Sequence, residues 1–365
     1  MPVHIDDMLR DLVARDASDL HIKAGKRPVM RIHGQLTITD YPALSDAETQ
    51  DFLYSILNDE RQRRYEEFRE LDLSYEVKDL ARFRVNMFWQ RGKPGAVFRV
   101  IPFKIRTIDE LLLPEVTKKI ALLPRGLVLV TGPTGCGKST SLAAIIDYIN
   151  TNRRCHVMTI EDPIEYWHED KMSIINQREA HVDTHSFPDA LRHVMRQNPD
   201  VILLGEMRDL ETISLAITAA ETGHLVFSTL HTVDAAQTID RIVDVFNPEQ
   251  QEQIRTQLSV TIQAILSQAL LPRRDIAGRV AAFEVMVATQ AIRSLIRDGK
   301  TPQLYLDIQT GSEHGMQTLD GALLNLVKQG LVDYEVALSK SSFPQEFIKR
   351  ASTMGLVKEA PGAVS

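Results

Sequence analysis

The spacing of apolar residues along this chain changes period several times, and each change predicts a different element. Ile5, Met8, Leu9, Leu12 and Val13 recur at helical spacing, so residues 3–15 predict an amphipathic helix, with Asp6 and Asp7 where its positive end favours carboxylates. Around Ala17 the period shortens to two. Leu20 and Ile22 share one face of a strand, and residues 30–36 predict a hairpin turning at Gly34. Ser45 followed by Glu48 fits a capping box that opens a helix to about Leu57, and the charged stretch 60–70 predicts another helix. Residues 71–77, 82–89 and 96–101 alternate again, the last two joined through Arg91-Gly92-Lys93-Pro94-Gly95. Residues 1–103 thus predict an α+β domain built on an antiparallel sheet, and 104–115 a linker.

Beyond the linker the apolar runs become short and continuous. Residues 127–131, 157–160, 201–204 and 225–229 look like strands buried on both faces, with helical patterns between them at 139–150, 187–196 and 209–222. Strands alternating with helices predict a parallel sheet wrapped on both faces, an α/β domain over 116–357. After about 248 the pattern turns mostly helical, with a strand pair near 279–287, and helices dominate 270–357. The tail 358–365, with Ala360-Pro361-Gly362-Ala363, reads as disordered.

Composition adds limits to this picture. The chain has 365 residues, enough for two or three domains, and its 44% hydrophobic and 25% charged content is that of a soluble globular protein. A net charge of −7 argues against general affinity for nucleic acid. No apolar run approaches the roughly 20 residues of a membrane span, and the polar, acidic start argues against a signal peptide, so a cytoplasmic location is expected. Two cysteines, Cys136 and Cys155, cannot make a four-cysteine zinc site.

The chemistry concentrates in Gly132-Pro133-Thr134-Gly135-Cys136-Gly137-Lys138-Ser139-Thr140, set between a buried strand and a helix, the context a phosphate loop requires. Gly132, Gly135 and Gly137 let backbone N–H groups turn inward on a phosphate, and the helix opening near Lys138 adds its positive end. The Lys138 ammonium can reach the β- and γ-phosphates of a nucleotide, and the Ser139 hydroxyl can ligate Mg²⁺. Val201–Leu204 delivers Glu206 at a strand's carboxyl end, where it can orient or deprotonate water. Glu161, Asp162 and Glu165 follow the neighbouring strand, either as a cluster that polarises water or holds the Mg²⁺ shell, or as an acidic turn around Pro163. His224 and His231 bracket the fourth strand. They can sense a γ-phosphate or bind metal, yet from spacing alone the structural reading is favoured for both. Arg82 and Arg84 share a strand face opposite Phe83 and Val85, with Arg91 and Arg99 nearby. This is either solvated charge or a basic face offered to a nucleotide site of another domain or subunit.

In this order, from Ser18-Asp19-Leu20-His21 to Gly315-Met316-Gln317-Thr318, the boxes resemble the type IV pilus retraction ATPases of the secretion-ATPase superfamily. The resemblance implies a PAS-like N-terminal domain and a RecA-like P-loop ATPase core with a helical C-terminal portion, assembled as a homohexamer. It implies ATP and Mg²⁺, docking on the inner-membrane platform protein of the pilus (PilC-like), a PilU-like paralogue as a further partner, and a cytoplasmic location peripheral to the inner membrane. It places Lys138 and Ser139 in the Walker A loop with Gly132, Thr134, Gly135, Cys136, Gly137 and Thr140. Glu161 falls in the Asp box, Glu206 matches the Walker B catalytic glutamate, and His224 and His231 match the His box, which reverses the structural preference for the histidines. Arg82, Arg84 and Arg99 match basic positions that reach the nucleotide across a domain or subunit boundary. Residues 291–297 match the helix associated with retraction. Its Arg293 and Arg297 sit four apart on one face, and the same pattern also suits an ordinary packed helix.

Two features separate the retraction reading from its neighbours. Pilus-assembly and type II secretion ATPases usually carry a four-cysteine zinc module, and the 291–297 segment favours the main retraction motor over an accessory one. Cys136 sits where serine or glycine is common and raises the expectation of sensitivity to oxidants or alkylation. The rivals of another class are a nucleic-acid translocase, opposed by the acidic charge, and a non-hydrolysing nucleotide switch, opposed by Glu206 and Glu161.

Overall fold

Local chemistry starts and stops the first elements. The structure, a computed structural model, describes residues 4–32, 34–78, 80–101 and 105–357. His33 of the expected hairpin turn, residues 102–104 of the expected linker and the expected tail 358–365 therefore lie outside the described residues. His4 caps α1 (Ile5–Ala14) through a box with Asp7, and the helix buries Ile5, Met8, Leu9 and Leu12. There follow β1 (Ala17–Lys23), β2 (Val29–Ile32), β3 (Gln35–Ile38), α2 (Asp46–Tyr54), α3 (Asp59–Phe68), β4 (Glu70–Val77), β5 (Ala81–Gln90) and β6 (Lys93–Ile101). Ser45 and Glu48 make the reciprocal capping box at the start of α2, satisfying two otherwise orphaned backbone donors. The turn between β5 and β6 is shorter than its glycine and proline suggested: Lys93, Pro94 and Gly95 are already in β6, and only Arg91 and Gly92 connect the strands.

These elements, with Pro163–Trp167, form the first of two units; Ile105–Asp162 and His168–Ser365 form the second. The first unit's six strands run antiparallel in the order β3-β2-β1-β6-β5-β4. Alternation along each strand sends Leu20, Met30, Phe83, Val85 and Phe98 into one buried layer with the helical residues Met8, Leu9, Leu53 and Tyr65. The residues between them face the other way, and that face carries the arginines.

In the second unit α4 (Val116–Ala121) and β7 (Gly126–Thr131) lead through the glycine loop to α5 (Lys138–Asn152), then β8 (His156–Glu161), β9 (Ile174–Glu179), α6 (Phe187–Val194), β10 (Val201–Leu204), α7 (Leu210–Glu221), β11 (Leu225–Leu230), α8 (Ala235–Val243) and α9 (Pro248–Thr261). Next come β12 (Ile262–Pro272), β13 (Arg279–Val287), α10 (Gln290–Arg297), α11 (Leu304–Thr310), α12 (Leu319–Lys328), α13 (Tyr334–Leu338) and α14 (Pro344–Thr353). The seven strands lie in the order β13-β12-β7-β11-β10-β8-β9, all parallel to their neighbours except β13 against β12. Helices cover both faces: Ile145, Ile149, Val128 and Phe227 pack in one layer, and Ile202, Val226, Ile217 and Ile239 in the other. The last helices close a smaller cluster, with Leu323, Leu324 and Phe347 against Leu271 and Val280. Ile108 and Leu113, within the stretch read as linker, are buried in this second unit.

Two strands differ from expectation. β12 occupies a region read as helical, because Ile262, Ile265, Leu266 and Ala269 recur at helical spacing and the segment is rich in leucine, alanine and glutamine. A strand covered on both faces loses its alternation, so the pattern alone could not separate the two. β9 is an edge strand with a polar sequence, Ile-Ile-Asn-Gln-Arg-Glu, that carries little apolar signal.

The first unit's core yields a direct check. Replacing fully buried Phe98 by alanine should cost about 3–5 kcal/mol. A chemical-denaturation midpoint equal to that of the parent protein would contradict the placement of Phe98 in the core.

Candidate nucleotide site

Parallel strands bring much of the second unit's candidate chemistry to one edge. The glycine loop leaves the carboxyl end of β7, Glu161 ends β8, Glu206 follows β10 and His231 follows β11. Gly137 is the N-cap of α5 in a left-handed conformation, so the helix begins at Lys138 with its first N–H groups open to an anion. Gly132 has φ +141°, and a Cβ there would stand 2.5 Å from the Gln268 carbonyl oxygen and 2.7 Å from the Cys136 sulfur; only glycine fits. The Lys138 ammonium lies against its own loop, donating to the Gly132 carbonyl at 2.8 Å and the Pro133 carbonyl at 3.3 Å. A phosphate oxygen makes a stronger, charge-assisted partner for an ammonium than a carbonyl does.

Gln268 on β12 is the residue sequence reasoning missed here. Its Nε2 donates to the Cys136 carbonyl at 2.5 Å, while its Oε1 accepts the Ser141 hydroxyl at 2.9 Å, so one buried amide ties the loop and the first turn of α5 to the neighbouring strand. Thr131 and Ser267 add a second bond between β7 and β12 at 2.8 Å. Neither pairing is visible before β12 is placed beside β7.

Glu206 is held from both sides. Arg208 pairs with its Oε1, and the His231 Nε2 lies 3.1 Å from its Oε2. Burial, with the charges of Lys138 and Arg208, pushes the His231 ring below its usual value, so it is neutral at pH 7 and donates one hydrogen bond to the carboxylate. Gly205 fixes the strand end, its N–H donating to the Ile160 carbonyl and its own carbonyl accepting the Thr229 hydroxyl at 2.7 Å. Glu161 accepts from Thr159 at 2.6 Å and from Gln177 on β9 at 3.2 Å.

The other expected site residues have partners of their own. Of the three carboxylates after β8, Glu165 groups with the first unit, where it pairs with Arg84 at 3.3 Å. His224 precedes β11 and His231 follows it, so within one chain they sit at opposite ends of a strand, roughly 20 Å apart. The His224 Nδ1 lies 2.9 Å from the Ala219 carbonyl at the end of α7, so a γ-phosphate or metal role shared with His231 is out of reach in a single subunit. Arg293 reaches the end of α9 and the start of β12: it donates to the Ser259 and Val260 carbonyls at 2.7 and 2.8 Å and to the Gln263 Oε1 at 3.0 Å. That is a cation neutralising a helix carboxyl end. Arg297, by contrast, is half exposed beside Ser294 and Asp298. In the first unit Arg82 bonds Ser74 and stacks over Trp167, and Arg84 and Arg99 line a cleft of about 270 Å³ with Asp72, Asn86 and Val97.

A cavity of about 420 Å³ flanks the glycine loop, lined by Thr134, Val233, Leu270, Arg279, Leu319 and Lys340 among others. Its mixed apolar and cationic wall suits the nucleoside end of a nucleotide whose phosphates lie on the loop. Among the described residues no group of three or more His, Cys, Asp or Glu side chains stands ready for a metal. Mg²⁺ takes only one or two protein oxygens and leaves the rest to water and phosphate.

The family model of type II/IV secretion system proteins matches residues 2–338. This chain belongs to that family. Among members of the secretion-system family, it is 52% identical over 343 residues to the type IV pilus retraction ATPase PilT of Pseudomonas aeruginosa, covering 94% of this chain and 99% of the relative. It is 42% identical over 337 residues to the type IV pilus ATPase PilU of the same organism, covering 92% and 88%. A crystal structure of the pilus retraction motor PilT with bound ADP matches with a TM-score of 0.89 at 45% identity, over 95% of this chain and 99% of that one. The mixed α/β architecture described above is thus that of a secretion-system ATPase. No helix among the described residues is long and apolar enough to cross a membrane.

The loop's cysteine does not behave as an exposed thiol in this fold. Cys136 is buried, and burial pushes its thiol up, against a smaller opposing effect of the Lys138 charge. Iodoacetamide at pH 8 should therefore leave Cys136 unlabelled in the folded protein and label it on denaturation, as read by peptide mass spectrometry. Labelling of native Cys136 at the rate of the unfolded thiol would contradict the buried loop.

Proposed function

We propose that this chain is a Mg²⁺-dependent ATPase working as a homohexameric motor for type IV pilus retraction. The observation that carries the reading is the meeting of Lys138 on its glycine loop with a doubly held Glu206 at the carboxyl edge of one parallel sheet. Likeness to PilT exceeds likeness to PilU, which favours the main motor over the accessory one. A pair of cysteines leaves no four-cysteine zinc module of the assembly ATPases, and the net charge of −7 disfavours a nucleic-acid translocase.

In this reading the phosphates lie along the loop from Gly132 to Thr140, and Lys138 exchanges its carbonyl partners for β- and γ-phosphate oxygens. Mg²⁺, when bound, neutralises phosphate charge, with the Ser139 hydroxyl as its protein ligand and Glu161 supporting the surrounding water. Glu206 takes the proton of the attacking water as the bond between the γ-phosphorus and the ADP oxygen breaks. His231 stays neutral and holds the carboxylate in place. Arg82, Arg84 and Arg99 of an adjacent subunit stabilise the charge on the transferred group and lose their grip once phosphate leaves. The ring then changes shape and draws on the pilus through an inner-membrane platform protein, with the motor peripheral to the membrane on its cytoplasmic side.

Two measurements test this together. The purified chain should release phosphate from ATP, with Lys138→Ala reduced to background. Deleting the gene should leave cells with surplus surface pili and no twitching. Loss of pili on deletion would point to assembly instead, and an unchanged rate in Lys138→Ala would reject the site.

A further inference from the structure

A single cross-strand row spans the whole sheet of the first unit. Backbone register pairs Leu36 with Arg31, Arg31 with Asp19, Asp19 with Arg99, Arg99 with Arg84, and Arg84 with Ser74. Directly paired residues on antiparallel strands project from the same face, so three arginines and one carboxylate from neighbouring strands share a line. Asp19 is only 4% exposed, and its partners are specific. Its Oδ1 accepts the Arg99 Nε–H at 2.8 Å, and its Oδ2 accepts the Ser18 hydroxyl at 2.7 Å and lies 3.5 Å from the Arg31 Nε.

The arrangement is asymmetric in a useful way. Arg99 meets Asp19 through Nε, while its side chain remains 67% exposed along the cleft shared with Arg84 and Asn86. Arg84 and Arg99 stand directly opposite each other, and like charges in that register repel. Glu165 pairs with Arg84 at 3.3 Å, and the buried Asp19 on the far side of Arg99 offsets the remaining repulsion and fixes the guanidinium at its Nε. The planar fork then points where a second anion can meet it.

We propose that Asp19 is a positioning residue: it sets the pose of Arg99, and of Arg31 beyond it, so that the first unit presents a preformed guanidinium fork to a phosphoryl group. The proposal rests on the reading above that Arg84 and Arg99 serve a nucleotide of an adjacent subunit. A preset fork stabilises charge without first having to be ordered, so its loss appears in turnover more than in substrate binding.

The test is a double-mutant cycle on the full-length assembled protein, read by steady-state ATP hydrolysis alongside thermal melting. Asp19→Asn keeps the shape and removes the charge. It should lower kcat roughly tenfold, with KM for ATP within about twofold of the parent. Arg99→Ala should lower kcat as well, and adding Asp19→Asn to it should cause little further loss, because both changes remove the same fork. Asp19→Glu should recover part of the lost turnover. A parental kcat in Asp19→Asn, or the same fold-loss with and without Arg99, would overturn the positioning role while leaving the arginines in place. Parental kcat in both Arg84→Ala and Arg99→Ala would reject the underlying reading of the arginines, and the proposal with it. Should Asp19→Asn fail to fold, Ser18→Ala removes the 2.7 Å bond to the same carboxylate and should lower kcat in the same sense; an unchanged kcat there counts against the proposal.

Discussion

The phosphate loop keeps its shape because a neighbouring strand closes on it. β12 lies parallel to β7, and its Gln268 reaches both the Cys136 carbonyl and the Ser141 hydroxyl. The same strand brings a backbone carbonyl so near Gly132 that no side chain fits. A loop that must aim several N–H groups at one anion cannot be left to sample conformations, since each ordered residue carries an entropic cost at binding. Here the ordering is done by the sheet before any ligand arrives. The buried amide of Gln268 is satisfied at both ends, so it stabilises the arrangement rather than straining it.

Charge is organised on the same principle in both units. In the second, Glu206 lies between Arg208 and a neutral His231, and Lys138 rests on carbonyls of its own loop. In the first, a buried Asp19 orders arginines along one face of an antiparallel sheet. Glu206 and Arg99 each have a neighbour brought by an adjacent strand, His231 after β11 and Asp19 on β1. The sheets therefore do electrostatic work in addition to burying the core: register decides which charges meet.

Much of this was legible from residue order alone. Strands β7, β8, β10 and β11 were readable because burial on both faces leaves short unbroken apolar runs, and the glycine loop because three glycines and Lys138 follow such a run. The capping box at Ser45 and the alternating strands β4 and β5 follow from equally local rules. What stayed hidden depends on non-local pairing. β12 carries a helical pattern, so Gln268 could not be placed beside the loop, and Asp19 could not be joined to Arg99, 80 residues away in sequence. His224 and His231 bracket β11 as the residue order indicated, so they lie at its two ends, while the grouping of Glu165 with the first unit is not visible in the acidic stretch that holds it. Arg293 sits on the helix that resemblance marks for retraction, yet its side chain caps α9.

The central claim is that Glu206, held between Arg208 and His231, acts on water and not on nucleotide binding. A single-turnover experiment with Glu206→Gln separates the two most directly, since the amide keeps the shape and loses the base. The account predicts ATP binding within a few-fold of the parent protein and hydrolysis slowed by about a hundredfold or more. Single-turnover hydrolysis at the parental rate, with binding intact, would contradict it.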